Sequence, residues 1–250
     1  MVTFMFNNFA WKRAFNFNDK EASLVIIISL LSGFILSFRM WGTDRFDASV
    51  GLSNLFLYSI LFMFLFFIFL ASQKFIAATM GLDARVSVWK YGPPIGVLVT
   101  LMSYGLIPFI FMGGVSLKEI PRLRVGKFMG TAVNIKEMLF VGLFGPLVLI
   151  LLSLLVFFPL YLLSGISVFY DLVWVSSLIL VVTALPLPSL NGLNLLLKYR
   201  AVWVLYLLYT LFLFILLSFL KNPWVYALAL ILSLFFGWLV KKGIHDSKYF

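Results

Sequence analysis

The chain has 250 residues, 63% of them hydrophobic and only 11% charged, with a mean hydropathy of +1.10, where a soluble domain has about 45–50% apolar and 25% charged residues. The composition implies a multi-pass membrane protein whose first partner is the lipid bilayer. The formal charge of +10 lies in short clusters between apolar spans, as positive-inside topology requires, which excludes a nucleic-acid-binding face; the lack of cysteine and the single histidine, His245, exclude disulfides, thiolate chemistry and any zinc site built on two histidines of this chain, so no cofactor is expected.

Residues 1–21 interleave Phe4, Phe6, Phe9, Trp11, Phe15 and Phe17 with Lys12 and Arg13. The continuous apolar core and small-residue cleavage site of a signal peptide are absent. The pattern fits a segment lying in the membrane interface, rings at headgroup depth, with a solvated tail as the alternative. Residues 22–51 hold a first span, Ala22 to Phe38, flanked by Lys20 and Arg39, and a hydrophilic loop, RMWGTDRFDASVG. Its Asp44, Arg45 and Asp47 read as a solvated ion-pair cluster rather than a metal or acid–base site.

A second span begins near Leu52 and runs into FLASQKFIAATMG, residues 69–81, where Ser72, Gln73 and Lys74 must face protein or reach the interface. ARVSVWKY alternates and is rich in β-branched and aromatic residues, so it predicts a strand over 84–91. The next piece, Ile95 to Met112, is apolar enough to span but is broken by Gly105 and Pro108 and ends in Gly113-Gly114. If it re-enters, sixteen of the nineteen Lys and Arg fall on one side of six spans, with Arg39, Arg45 and Lys221 opposite; if it crosses, the split is about 7 to 12. The count favours six spans with both termini on the basic, cytoplasmic side of a cell membrane. Pro121 to Glu137, with Arg122, Arg124, Lys127 and Lys136, becomes a basic loop that sets orientation and can touch anionic headgroups. Further spans follow at Met138 to Leu163, Leu172 to Pro186, Ala201 to Leu220 and Pro223 to Val240. The last two, with the basic tail making up 201–250, read as packing elements.

The stretch from Phe69 to Gly81 resembles the metal-binding helix of the site-2 protease family of intramembrane zinc proteases, which reads HExxH, three residues, Ala, three residues, Gly. Ala77 and Gly81 match, and Phe75 and Ile76 are of a similar apolar kind. ARVSVWKYG through FIFMGGVSL looks like the strand and partly embedded hairpin that follow that helix, and Gly145-Pro146 is similar to the start of the third core helix. Pro186, Pro188, Leu190 and Gly192 agree with a Pro-rich turn that the family builds as Asn-x-x-Pro and then Asp-Gly. The resemblance covers residues 52–200 and implies an all-α, six-span bundle with a small membrane-associated β element and a site-2-protease-like core.

At the family's five functional positions the chain carries other residues. The first histidine falls on Phe69, the glutamate on Leu70, the second histidine on Gln73, the asparagine on Thr183 and the aspartate on Asn191. Phe69 and Leu70 offer no donor atom, and the neutral amides of Gln73 and Asn191 are weak partners for zinc. The resemblance therefore implies a catalytically inactive member without metal, binding membrane segments as a structural or regulatory subunit of a membrane complex. The implied docking surface is the groove beside the central helix and ALPLPSLNG together with a sheet edge: Gln73, Arg85, Ser87, Trp89, Asn191 and Asn194. Alternatively the three amides hydrogen-bond between helices and close the former cavity. Two other readings stay open: an active metalloprotease whose ligands come from a partner chain, and a small-solute transporter or channel component built on the broken piece Tyr104 to Pro108.

Overall fold

The computed structural model describes residues 15–42, 46–119 and 135–246, and the side chains of these except 119, 135 and 241–246. The chain divides into two compact units, Met1–Leu149 and Ile150–Phe250. It is mostly helical, with five helices long and apolar enough to cross a membrane and one two-stranded sheet among the described residues.

In the first unit, α1 (Asp19–Ser37) opens on a capping box in which Asn18 and Glu21 satisfy each other's backbone N–H groups. The interfacial segment expected over 1–21 thus gives way to helix at Asp19; residues 1–14 lie outside the described residues. Helix α2 (Ala48–Thr79) runs for 32 residues. It starts earlier than the sequence suggested, with Asp47 as its N-cap. The Asp47 carboxylate accepts the Ser49 hydroxyl at 2.7 Å, the Ser49 N–H at 2.9 Å and the Val50 N–H at 3.3 Å. The Ser49 hydroxyl, then the two N–H groups, hold its pKa below the ordinary value. Asp44 and Arg45 lie outside the described residues.

Lipid gives two apolar helices no hydrophobic reason to associate, so close packing of small residues must do it. On α1 the buried face includes Ser29, Ser32 and Gly33. A Cβ at Gly33 would lie 1.9 Å from Ser59 Oγ and 2.8 Å from Ser59 Cα of α2, so the two backbones meet at this point.

Gly81 turns the chain out of α2 at φ +72°, a left-handed conformation that glycine adopts without strain. Strand β1 (Leu82–Ser87) then pairs antiparallel with β2 (Gly114–Glu119), Leu82 opposite Glu119 and Ser87 opposite Gly114. Leu82 and Ala84 alternate with polar residues and, with Val115 and Leu117, pack against Ala77, Val141, Ile76 and Met80. The strand ends at Ser87, short of the predicted 91. Trp89 lies beyond it, its ring 5.7 Å from that of Phe111 and 6.0 Å from that of Tyr91.

The strands are joined by a helical hairpin. Helix α3 (Gly92–Met102) leads to a turn with positive φ at Tyr104 and Gly105, and an extended segment returns to β2. Gly92, Gly96 and Thr100 recur every four residues on one face of α3. A Cβ at Gly96 would sit 2.5 Å from the Phe109 carbonyl oxygen, and one at Gly92 2.0 Å from the Phe111 ring. Glycine thereby lets the non-helical return, with buried Ile110, Phe111 and Met112, lie directly on the helix. Since Ser87 faces Gly114, the apolar piece between them leaves and returns to one place instead of running on. Its tip reaches far: a Cβ at Gly105 would meet Phe38 and Arg39, just past the end of α1, while Glu21 at the other end of α1 bonds β1.

Helix α4 (Ile135–Leu152) holds Pro146 in its interior; the basic residues Arg122, Arg124 and Lys127 lie outside the described residues. A π-helical turn, Ser153–Phe157, and α5 (Phe158–Ser164) continue the apolar run, the wider turn lying just before Pro159, which cannot complete the ordinary ladder. The second unit then adds α6 (Ser167–Ala184), a short α7 (Asn191–Lys198), α8 (Arg200–Phe219) and α9 (Val225–Asp246).

Replacing Gly33 with Leu should destabilise the protein by about 1–3 kcal/mol, the cost of forcing methylenes into a closed contact. Thermal unfolding in detergent checks this, with Ile26→Leu on the exposed face of α1 expected to change little.

Candidate functional site

Phe69, Leu70 and Gln73 sit in the last third of α2 and are fully buried. Phe69 and Gln73 are one turn apart and face α4 at Gly145, where a Cβ would come within 2.8 Å of the Phe69 ring and 2.9 Å of Gln73 Cγ. The glycine of the Gly145-Pro146 pair is thus needed for contact with these two side chains. Gln73 Nε2 donates to the Gly142 carbonyl at 3.4 Å, a long bond, and its Oε1 is buried without a hydrogen-bond partner among the described residues. The phenyl ring and the amide stem fill the face on which the family pattern would present ligands.

In the second unit Thr183 is buried, its hydroxyl 2.8 Å from the Leu180 carbonyl and 2.6 Å from Tyr206 OH on α8. Asn191 begins α7 and is 7% exposed, while Asn194 on the same helix is exposed. Gly192 has a steric reason of its own, since a Cβ there would sit 2.2 Å from the Ala184 carbonyl oxygen and 2.3 Å from that of Leu185. The start of α7 rests on the last carbonyls of α6, and Trp203 Nε1 donates to the Ala184 carbonyl at 2.9 Å. The residues around the ALPLPSLNG turn act in packing and in satisfying a helix C-terminus.

Of the residues expected to dock a partner on the sheet, Arg85 is exposed and paired with Asp83 at 3.1 Å, and Ser87 closes the strand opposite Gly114. Trp89 is not on the strand edge. The edge itself is partly used: the Val86 N–H donates to Glu21 Oε1 at 2.8 Å. Since this N–H turns away from β2, Val86 and Val115 form a non-hydrogen-bonded pair, and the opposite edge of the sheet belongs to β2.

Glu21 and Lys74 are the pair that pattern reading missed. Lys74 Nζ lies 2.6 Å from Glu21 Oε2, 3.1 Å from the Asn16 carbonyl and 4.0 Å from the centre of the Phe17 ring. The ammonium has three N–H groups and three acceptors. Glu21 Oε2 also takes the Asn18 N–H at 3.3 Å. Their side chains are only 4% and 12% exposed. The signal available in the sequence was a lysine one residue beyond the second histidine position, within an apolar helix, and that residue faces protein.

Among the described residues no three His, Cys, Asp or Glu side chains cluster as a metal site. A scan against protein-family models found no match, and searches of curated proteins and of solved structures found none either.

Breaking the pair by Glu21→Ala should cost about 3–5 kcal/mol, because it strands a buried ammonium. The double change Glu21→Gln with Lys74→Met should lose clearly less than the two single changes together, as read by a double-mutant cycle in detergent unfolding.

Proposed function

We propose that the chain is a six-span, catalytically inactive relative of the site-2 proteases that binds membrane segments as a structural or regulatory subunit of a membrane complex. The observation that carries this reading is the burial of Phe69, Leu70 and Gln73, with the Phe69 ring and the Gln73 stem packed on Gly145 where metal ligands would stand. The helix, the strand after it and the returning hairpin follow the order that the resemblance implies, and the chemistry is replaced by packing. The sixth span is α9, with apolar residues over Val225–Val240. The partner is an extended membrane segment that pairs with the outer edge of β2, since β1 already gives its Val86 N–H to Glu21. A transporter reading would rest on the hairpin of α3 and its return, whose buried residues, Gly92, Gly96, Thr100, Ile110, Phe111 and Met112, provide no ionisable group for coupling.

A photo-crosslinking residue at Lys118 on β2 should capture one defined membrane protein in native membranes, while one at the exposed Ile215 of α8 captures chiefly lipid. Capture of the same protein at Ile215 and not at Lys118 would move the partner away from the sheet. The purified chain should hold no stoichiometric zinc and leave a model transmembrane substrate intact; about one zinc per chain, with cleavage lost on chelation, overturns the inactive reading. With both termini on the cytoplasmic side, a single cysteine at Arg124 should resist an impermeant label applied to intact cells.

A further inference from the structure

The second unit carries a groove of about 570 Å³ between α8 and α9, open to the surface and lined by Arg200, Ala201, Val204 and Leu205 on one side and by Leu234, Gly237 and Trp238 on the other. Apart from Arg200, the described lining residues are uncharged and nearly all apolar. Gly237 sets the depth: a Cβ there would lie 2.5 Å from Leu205 Cδ2, so the glycine lets the Leu205 side chain in close and leaves the space above it open. Arg200 is the first residue of α8, is exposed, and makes no ion pair among the described residues. The charge around this end is one-sided. Lys198 precedes it, α9 continues into Lys241 and Lys242, and over residues 150–250 the only acids are Asp171, near the opposite end of α6, and Asp246.

We propose that this groove is a binding site for one anionic phospholipid, with its phosphate on the Arg200 guanidinium and the upper part of an acyl chain between α8 and α9. Three features select that ligand. The volume lies within the roughly 300–1,000 Å³ of small-ligand sites. The walls belong to helices whose exposed faces are hydrocarbon-like, so the ligand's body must be apolar. The cation stands only at the helix end, where a headgroup would be, and its planar fork matches two phosphate oxygens as an ammonium cannot. Trp238, 57% exposed beside the groove, has the amphipathic ring that headgroup depth favours.

Trp238 also provides the test. The full chain is reconstituted in phosphatidylcholine vesicles containing increasing fractions of brominated-chain phosphatidylglycerol or brominated-chain phosphatidylcholine, and the fluorescence of Trp238 is obtained as the difference between the wild type and Trp238→Phe. Quenching should reach its midpoint at an about five-fold lower fraction of phosphatidylglycerol, the factor expected of one cation near an anionic phosphate, and raised salt should reduce the preference. Arg200→Gln should abolish the preference, and the exposed change Ala201→Phe, which fills the groove and keeps the charge, should weaken quenching by both lipids. Equal midpoints for the two lipids in the wild type, a preference that survives Arg200→Gln, or quenching unaffected by Ala201→Phe would each overturn the site.

Discussion

The first unit depends on one ion pair held out of water. Glu21 and Lys74 come from the start of α1 and the end of α2, and between them they reach a helix cap, a strand and the segment that enters α1. An isolated charge in such a place would cost several kcal/mol, and only complete hydrogen bonding offsets that cost. Here each lone pair and proton in use has a partner. The geometry of α2, β1 and α1 is therefore coupled: moving any one of them leaves a buried charge short of a bond. In a helix pair otherwise held by small residues and dispersion, this contact is also the one with a direction, and it fixes which end of α1 meets the sheet.

The apolar helices, the strand after α2 and the returning hairpin were legible in the sequence because their signals are local. A run of apolar residues, an alternation over 84–91 that overlaps the strand, and glycines at 105 and 113 each announce themselves within a short window. What was not legible depends on partners distant along the chain. Asp47 looked like half of a charge cluster because nothing local distinguishes an ion pair from a cap until the helix boundary is known. For Lys74 the sequence left protein and interface as alternatives, because its partner lies 53 positions away. Thr183 stood at a family position, and only the fold shows that its hydroxyl meets Tyr206. The strand was drawn too long for the opposite reason: Trp89 has strand-like character, but its ring packs on Phe111 of the return segment, and the chain leaves the ladder to allow it.

At the positions quoted for the resemblance, the glycines have steric reasons of their own. Gly81 is needed for the turn into β1, Gly145 for contact with Phe69 and Gln73, and Gly192 for the approach of α7 to two carbonyls. These are demands of a backbone path, independent of any chemistry at these positions. Beside Gly145, the Gln73 amide oxygen is buried without a hydrogen-bond partner among the described residues. An apolar residue of the same shape would remove that cost, so Gln73 is the position of this face at which packing alone is not optimised.

The hairpin between the strands bears on how the chain enters a membrane during synthesis. Its apolar stretch is long enough to be taken for a crossing helix as it emerges, yet its final course is fixed by β2, which is made later. Strand β1 has no ladder partner until Gly114–Glu119 has appeared, and the non-helical return has no cover until α3 lies beside it. The element is therefore complete only with its second half, when β2 pairs β1 and the return lies against α3.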